Sequence, residues 1–103
     1  MPKVARGHQV DEVVAECGNT TTSGASANVF FNGVGAHRQT DVNMVHTFGE
    51  LCEEEHKTAI VHGSATVFVN NLGVARKGDH YTNNEFVSTG SNSIFAGPAI
   101  PES

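Results

Sequence analysis

The stretch between residues 46 and 56 holds the side chains best suited to chemistry. It reads His-Thr-Phe-Gly-Glu-Leu-Cys-Glu-Glu-Glu-His, which places His46, Cys52 and His56 in an H-x5-C-x3-H spacing. Imidazole and thiolate are the ligands that zinc prefers, and four of them in a tetrahedron complete a structural site. The spacing therefore predicts one structural zinc ion, with one ligand supplied from elsewhere in the chain.

Candidates for the remaining ligand lie outside this stretch. His80 and Cys17 are the best placed, and His8 is a weaker option. Cys17 and Cys52 could instead form a disulfide, but six histidines in so short a chain favour metal binding over a cystine. Either cysteine could supply the thiolate.

A catalytic zinc site is the alternative to a structural one. Such a site keeps a position open for water beside a carboxylate base, and Glu53, Glu54 or Glu55 could be that base. The sequence contains neither an HExxH motif nor a Gly-x-Ser-x-Gly nucleophile turn, so an enzyme is not expected. His37 and His62 are expected to be ordinary polar side chains at the surface.

The composition explains why a metal would be needed. Only 38% of the residues are hydrophobic, Trp is absent and Gly occurs 11 times, so the core is thin and a cross-link must supplement it. The net charge of −5 repels phosphate backbones and argues against nucleic-acid binding. We expect one domain over residues 1–103, made in the cytoplasm without a signal peptide or membrane span.

An internal repeat indicates how the metal ligands are positioned. Residues 25–41 (ASANVFFNGVGAHRQTD) and 63–79 (GSATVFVNNLGVARKGD) are identical at eight of 17 positions. In each copy a β-prone run, an Asn or Gly turn and a second short run predict a β-hairpin. A third front half occurs at 90–97 (GSNSIFAG), and its back half is predicted at residues 2–6 of the other terminus.

Three such hairpins predict an all-β, pseudo-threefold domain with its termini together. Loops that follow equivalent places in the repeats would bring a metal onto the axis, near one end. The alternative is an ordinary small β-sandwich or barrel built by duplication. Helix is disfavoured except over residues 10–17, where DEVVAEC could form two turns.

The repeats VFFNGVGAHRQTD and VFVNNLGVARKGD, with the closing TGSNSIFAG, resemble the PAAR-repeat family in its phage-tail form. The resemblance covers nearly the whole chain and implies a small β cone with zinc near its apex, held by three His and one Cys. His46 and His56 match two of those ligands. The family's third-loop Cys falls near Asn83, where His80 is the substitute, and the first-loop His is missing, with Cys17 nearby.

The resemblance also implies a function. It predicts a structural spike tip, seated on the trimeric β-helical spike of a phage tail baseplate or type VI secretion system, one tip per trimer and without a stable homo-oligomer. There it would sharpen the spike for piercing the target cell envelope. We expect the face that meets the spike to use Phe30, Phe68 and Phe95. A zinc-dependent hydrolase of an envelope polymer is the runner-up, and a free-standing metal-binding adaptor is a third possibility.

Overall fold

A computed structural model describes residues 1–97, and residues 98–103 of the predicted domain lie outside the described part. The fold is all-β, as predicted, with one 3-10 turn at Thr82–Asn84. No helix within the described residues is long and apolar enough to cross a membrane. The strands are β1 (Glu12–Val14), β2 (Thr20–Thr21), β3 (Phe30–Phe31), β4 (Val34–Gly35), β5 (His46–Phe48), β6 (Glu54–His56), β7 (Phe68–Val69), β8 (Leu72–Gly73) and β9 (Phe86–Val87).

Each internal repeat forms the hairpin that its sequence predicts. Strand β3 pairs with β4, and β7 pairs with β8 in the same register. The turn residues Asn32 and Gly33 have φ values of 55° and 78°, and Asn70 and Asn71 have 54° and 65°. Two consecutive positive φ values define the type I′ turn, whose twist matches that of the flanking strands and which favours Asn and Gly.

The two chain ends meet in a comparable pair. Lys3 forms an antiparallel bridge with Phe95, and the Val4 amide donates to the Ile94 carbonyl at 3.0 Å. In the first hairpin the Ala36 amide makes the corresponding hydrogen bond, to the Val29 carbonyl, at 3.0 Å. Residues near both ends of the chain therefore combine into a third hairpin-like unit beside the other two.

A closed ring of backbone hydrogen bonds joins the three units. The Ala5 amide donates to the Ala75 carbonyl at 2.8 Å, Ala75 donates to His37 at 2.8 Å, and His37 donates to Ala5 at 3.1 Å. The three residues occupy equivalent places, each directly before an Arg. The ring therefore marks a pseudo-threefold axis.

An Arg–Asp pair follows the ring in each unit. Each Asp accepts hydrogen bonds from the backbone amide and the guanidinium of its Arg, at 2.7–3.1 Å. Such bidentate, charge-assisted contacts fix the direction of the chain where it leaves the ring. The three pairs are Arg6–Asp11, Arg38–Asp41 and Arg76–Asp79.

The ring separates two apolar clusters. Alternate residues of an extended strand face opposite sides, so Val4 and Val74 pack on the hairpin side, whereas Ala5 and Ala75 pack on the other. The hairpin-side cluster is Val4, Ala36, Val69, Val74 and Ala96. The opposite cluster is Ala5, Val13, Ile60, Ala75, Tyr81 and Val87, which come largely from the segments that follow the Arg–Asp pairs. The hairpins and these segments therefore lie on opposite sides of the ring.

The segment in which the sequence allowed two helical turns is a strand. Strand β1 (Glu12–Val14) is the centre of a three-stranded sheet in the order β2-β1-β9. Val13 is fully buried between exposed Glu12 and partly buried Val14. This alternation suits a strand, and pairing with Val87 and Thr20 provides the backbone partners.

His37 is not at the surface, contrary to the expectation from sequence. Its side chain is fully buried. It occupies the ring position that Ala5 and Ala75 occupy in the other two units. Its Nδ1–H donates to the Gly24 carbonyl at 2.6 Å, so the Nε2 lone pair accepts from the Tyr81 hydroxyl at 2.7 Å. The imidazole is therefore satisfied as the neutral tautomer. His62, in contrast, is exposed as expected.

We expect acid to weaken this core contact. Burial lowers the pKa of His37, and this outweighs the raising effects of the Gly24 hydrogen bond and of Asp41 and Asp11. The contribution of His37 to stability is thus complete above the pKa of the unfolded chain and is lost as pH falls below it. In a ¹⁵N titration the ring nitrogens of His37 should keep their neutral shifts at about pH 5.5, where a free imidazole is mostly protonated. Protonation near pH 6.5 would contradict this expectation.

Candidate metal centre

A two-stranded hairpin carries the two histidines between the repeats. Strands β5 and β6 pair so that His46 lies opposite His56, and Phe48 lies opposite Glu54. Side chains at directly opposed positions of an antiparallel pair are neighbours on one face. The two imidazole rings meet edge to face with centroids 4.6 Å apart, and their Nε2 atoms are 3.0 Å apart.

Glu85 brings a carboxylate to the same point. It lies just before β9, and its Oε2 contacts Nε2 of His46 and lies 2.9 Å from Nε2 of His56. The three candidate ligand atoms all lie within 4.8 Å of one another. The side chains of His46, His56 and Glu85 are 7%, 16% and 4% exposed, so the group is largely shielded from water.

Hydrogen bonding sets the protonation of His46 in a way that suits a cation. Its Nδ1 lies 2.7 Å from the Met44 carbonyl oxygen, an acceptor, so Nδ1 carries the proton. In neutral His46 the Nε2 lone pair then points at the Glu85 carboxylate and at His56. Lone pairs that face one another repel unless a proton or a metal ion lies between them. The residues present therefore fit a bound metal ion, and the Met44 carbonyl is the kind of outer partner that orients a ligating histidine.

The other oxygen of Glu85 is held by a buried polar network. Thr58 Oγ1 donates to Glu85 Oε1 at 2.5 Å, and Asn43 Nδ2 donates to it at 3.2 Å. Burial alone would raise the pKa of Glu85, but the Thr58 hydrogen bond and, in the metal-free protein, hydrogen bonds from protonated His56 and His46 outweigh burial, and the pKa lies below its ordinary value. The carboxylate is therefore ionised, with Oε1 fixed and Oε2 aimed at the imidazoles.

Phe48 fixes the second imidazole. Its ring stacks on His56 with centroids 3.9 Å apart and planes within 9° of parallel. Two imidazoles and one carboxylate form a donor set typical of zinc and of other borderline first-row metal ions. The arrangement can hold such an ion, and outer contacts already orient each of the three side chains.

The structure does not bring His80 to this group. His80 is exposed, its ring centroid is 6.0 Å from that of His62, and it packs beside Phe86 at 5.8 Å. His8 is also exposed and lies against the first hairpin near Gly35. Of the histidines considered as ligands, the structure thus gathers His46 and His56 alone within its described residues.

The two cysteines are joined to each other. Cys17 and Cys52 form a disulfide with Cα atoms 5.7 Å apart, so the preference for metal over a disulfide was wrong for this pair. A disulfide sulfur carries no thiolate charge, and neither cysteine can be the predicted thiolate ligand in this structure. The bond instead links the loop between β1 and β2 to the turn of the β5–β6 hairpin.

Sequence reasoning missed Glu85. The available signal was positional, since Glu85 lies two residues after Asn83, where the family resemblance places a third-loop ligand. The sequence predicts a thiolate or an imidazole there, with His80 as the substitute ligand. A carboxylate oxygen is also a known ligand of zinc, and Glu85 is the carboxylate beside that position.

The chain matches the model of a known protein family. A family model described as PAAR motif matches residues 11–85, which is most of the chain and includes His46, His56 and Glu85. No curated protein matches the chain significantly.

Proposed function

Because the chain belongs to the PAAR-motif family, whose members are spike-tip proteins of contractile injection systems, we propose that it caps a trimeric β-helical spike. One copy would seat on each trimer of a phage tail or type VI secretion machine and form its pointed end. Its task would be mechanical, namely to concentrate the contraction force on a small area of the target envelope.

Three exposed phenylalanines carry this proposal. Phe30 and Phe68 are each 56% exposed, and Phe95 is 45% exposed. They occupy equivalent positions, paired with Gly35, Gly73 and Lys3 respectively. Large apolar side chains repeated at the surface indicate a face that a partner covers. A pseudo-threefold set of three can meet three identical subunits with three similar contacts.

The opposite side of the ring supports the role of a rigid tip. The β5–β6 hairpin and Glu85 belong to the segments that follow the Arg–Asp pairs, away from the phenylalanine-bearing hairpins. We propose that one structural zinc ion is held there by His46, His56 and Glu85. Such an ion would connect the second and third of these segments and stiffen that end of the domain.

The hydrolase alternative receives less support from the site. Its candidate bases Glu53, Glu54 and Glu55 are exposed, and none of them belongs to the His46–His56–Glu85 group. The buried carboxylate of Glu85 is engaged by Thr58 and Asn43 and is placed as a ligand rather than as a base. This arrangement agrees with the structural character of the family.

Co-purification tests the seating surface. The protein should elute with its trimeric spike protein at one tip per trimer. Replacing Phe30, Phe68 or Phe95 with Asp should weaken binding about 30-fold each, because each would remove a contact worth about 2 kcal/mol. The matched control is Leu51→Asp, which changes an apolar residue that is 76% exposed in the β5–β6 turn. Unaltered binding of the triple Phe variant would contradict the proposed face, and a protein that never binds the trimer would favour the adaptor.

A further inference from the structure

The proposed metal group offers three protein donors, one fewer than a structural zinc site uses. Zinc in such sites is almost always four-coordinate, with each ligand supplied by the protein. The structure gathers His46, His56 and Glu85 so that their ligand atoms lie within 4.8 Å of one another, and no other side chain of the described residues joins them. The fourth ligand is therefore to be sought among side chains that lie near the group and can turn toward it.

Most other possible donors of the described chain are engaged or lie elsewhere. His37 is hydrogen-bonded in the core at both ring nitrogens, and the two cysteine sulfurs are bonded to each other. The aspartates of the three Arg–Asp pairs are bound by their arginines. His62 and His80 lie beside each other at the surface, and Glu53 and Glu54 line a different cavity at the turn of the β5–β6 hairpin. These side chains are poor candidates for the fourth ligand.

The pseudo-threefold symmetry places Glu16 at the position equivalent to His46. Asp11 and Asp41 are equivalent members of the Arg–Asp pairs. Glu16 lies five residues after Asp11, just as His46 lies five residues after Asp41. One of the two equivalent positions thus carries an imidazole of the metal group, and the other carries a carboxylate.

Backbone pairing supports this equivalence. In the first segment the Thr22 amide donates to the Asp11 carbonyl at 3.0 Å, and in the second the Ile60 amide donates to the Asp41 carbonyl at 3.0 Å. The residue two places after each Asp is buried in both segments. The chain therefore approaches position 16 along the same course by which it approaches position 46.

Glu16 also lies beside the metal group in the folded chain. A cavity of about 370 Å³ is lined by residues 14–16 and 83–85, so Glu16 and Glu85 both contribute to its wall. The next residue, Cys17, is bonded to Cys52 in the hairpin turn, and its Sγ lies 3.3 Å from the Gly49 carbonyl oxygen. The disulfide thereby holds the backbone at Glu16 against the hairpin that carries the two histidines.

The carboxylate of Glu16 is available as a ligand. The residue is exposed, and none of the ion pairs among the described residues engages it. Its carboxylate lies outside the group in the structure, so binding requires the side chain to rotate into the cavity that it shares with Glu85.

Resting on the zinc site proposed above, we infer that Glu16 supplies the fourth ligand, so that two imidazoles and two carboxylates hold the metal. Two neutral imidazoles, two carboxylates and a divalent zinc ion sum to zero charge. A neutral set suits a place that is largely shielded from water, because a net charge there would lose its hydration. The ion would then join the first segment after the ring to the second and third.

The zinc affinity of the Glu16→Gln protein tests the inference. It should be about 10-fold or more below that of the native protein, which is the lower limit seen when only an outer partner of a ligand is lost. Glu16→His should recover most of this loss, because it places a neutral donor at the position equivalent to His46. Melting of the metal-free protein should be unchanged in both variants, since the side chain is exposed.

The matched control is Glu12→Gln. It makes the same change of charge four residues earlier, on β1, where the glutamine oxygen can still accept from Ser88. This variant should bind zinc as tightly as the native protein does. Competition against a chromophoric chelator measures all of these affinities.

The other results have distinct meanings. If Glu85→Gln weakens zinc binding while Glu16→Gln binds as the native protein does, the inference is wrong and the proposed metal site stands. A loss of affinity shared by Glu12→Gln, or one that Glu16→His does not recover, would show that charge near the site matters rather than a donor atom at position 16, and would overturn the inference. A native protein that binds no zinc would overturn both the inference and the proposed metal site.

Discussion

The Glu85→Gln protein is expected to bind zinc about 100-fold or more weakly than the native protein, since even the loss of an outer partner of a metal ligand costs 10–100-fold. Glutamine has the shape of glutamate, and its carbonyl oxygen can still accept from Thr58 and Asn43. Its amide group would then face the two imidazole nitrogens and donate to them. The substitution thus removes the charged donor and leaves the packing of the metal-free protein intact.

Stability provides the second measurement of this substitution. A 100-fold loss of affinity lowers the free energy of unfolding in excess zinc by about 2.7 kcal/mol, or roughly 10–20 °C in melting temperature for a domain of this size. Native protein should lose that stability when a chelator is added, whereas the variant should barely respond to chelator.

The control for Glu85→Gln is Glu54→Gln. Glu54 is exposed on β6, beside the metal group but outside it, so the same chemical change there should leave zinc affinity and melting unaltered. If Glu85→Gln retained native affinity, or if Glu54→Gln lost it, the assignment of Glu85 as a ligand would be wrong. Competition against a chromophoric chelator measures both affinities.

The sequence predicted the two hairpins because the residues that encode each strand and its turn are adjacent in the chain. Val-Phe followed by Asn and Gly encodes a strand and a type I′ turn within a few residues, and the structure places both turns there. His46 and His56 were also accessible to local reasoning. They are ten residues apart in one hairpin, so pairing of β5 with β6 is enough to bring them together.

The remaining site residues depend on contacts that no local pattern specifies. Glu85 reaches the histidines from a different segment of the chain, 29 residues after His56, and its neighbours Asn84 and Phe86 suggest no metal site. The pairing of Cys17 with Cys52 likewise requires the β1–β2 loop to meet the β5–β6 turn. Sequence composition favoured metal for these cysteines, but proximity in the fold determines their partner.

His37 shows a different limit of sequence reasoning. The repeat aligns it with Ala5 and Ala75, both small residues facing the core. A histidine at that place was predicted to lie at the surface, because histidine is buried less often than the apolar residues. Tyr81 and Gly24 satisfy both ring nitrogens, which removes the cost of burial. Those partners come from two other segments and are visible only in the folded chain.

The Cys17→Ser/Cys52→Ser protein is expected to lose about 4 kcal/mol of unfolding free energy. The disulfide closes a loop with a sequence separation of 35 residues. Cross-linking a loop of that length removes unfolded-state entropy worth about 4 kcal/mol near 25 °C. The β5–β6 hairpin also gains a second attachment, because His46 and His56 hold its base to Glu85 while Cys52 holds its turn to Cys17.

Urea unfolding at saturating zinc measures this loss, with a phosphine reductant as the matched comparison. The reductant should lower the midpoint of the native protein and leave that of the Cys17→Ser/Cys52→Ser variant unchanged, since the variant has no disulfide to reduce.

The disulfide acts on the unfolded chain and zinc acts on the folded one, so the effect of a chelator on the free energy of unfolding should add to that of the variant within about 0.5 kcal/mol. A loss below about 1 kcal/mol would show that the disulfide does not constrain the unfolded chain as the loop-entropy relation requires. A clear excess over additivity would show that the disulfide also positions His46 and His56 for the metal.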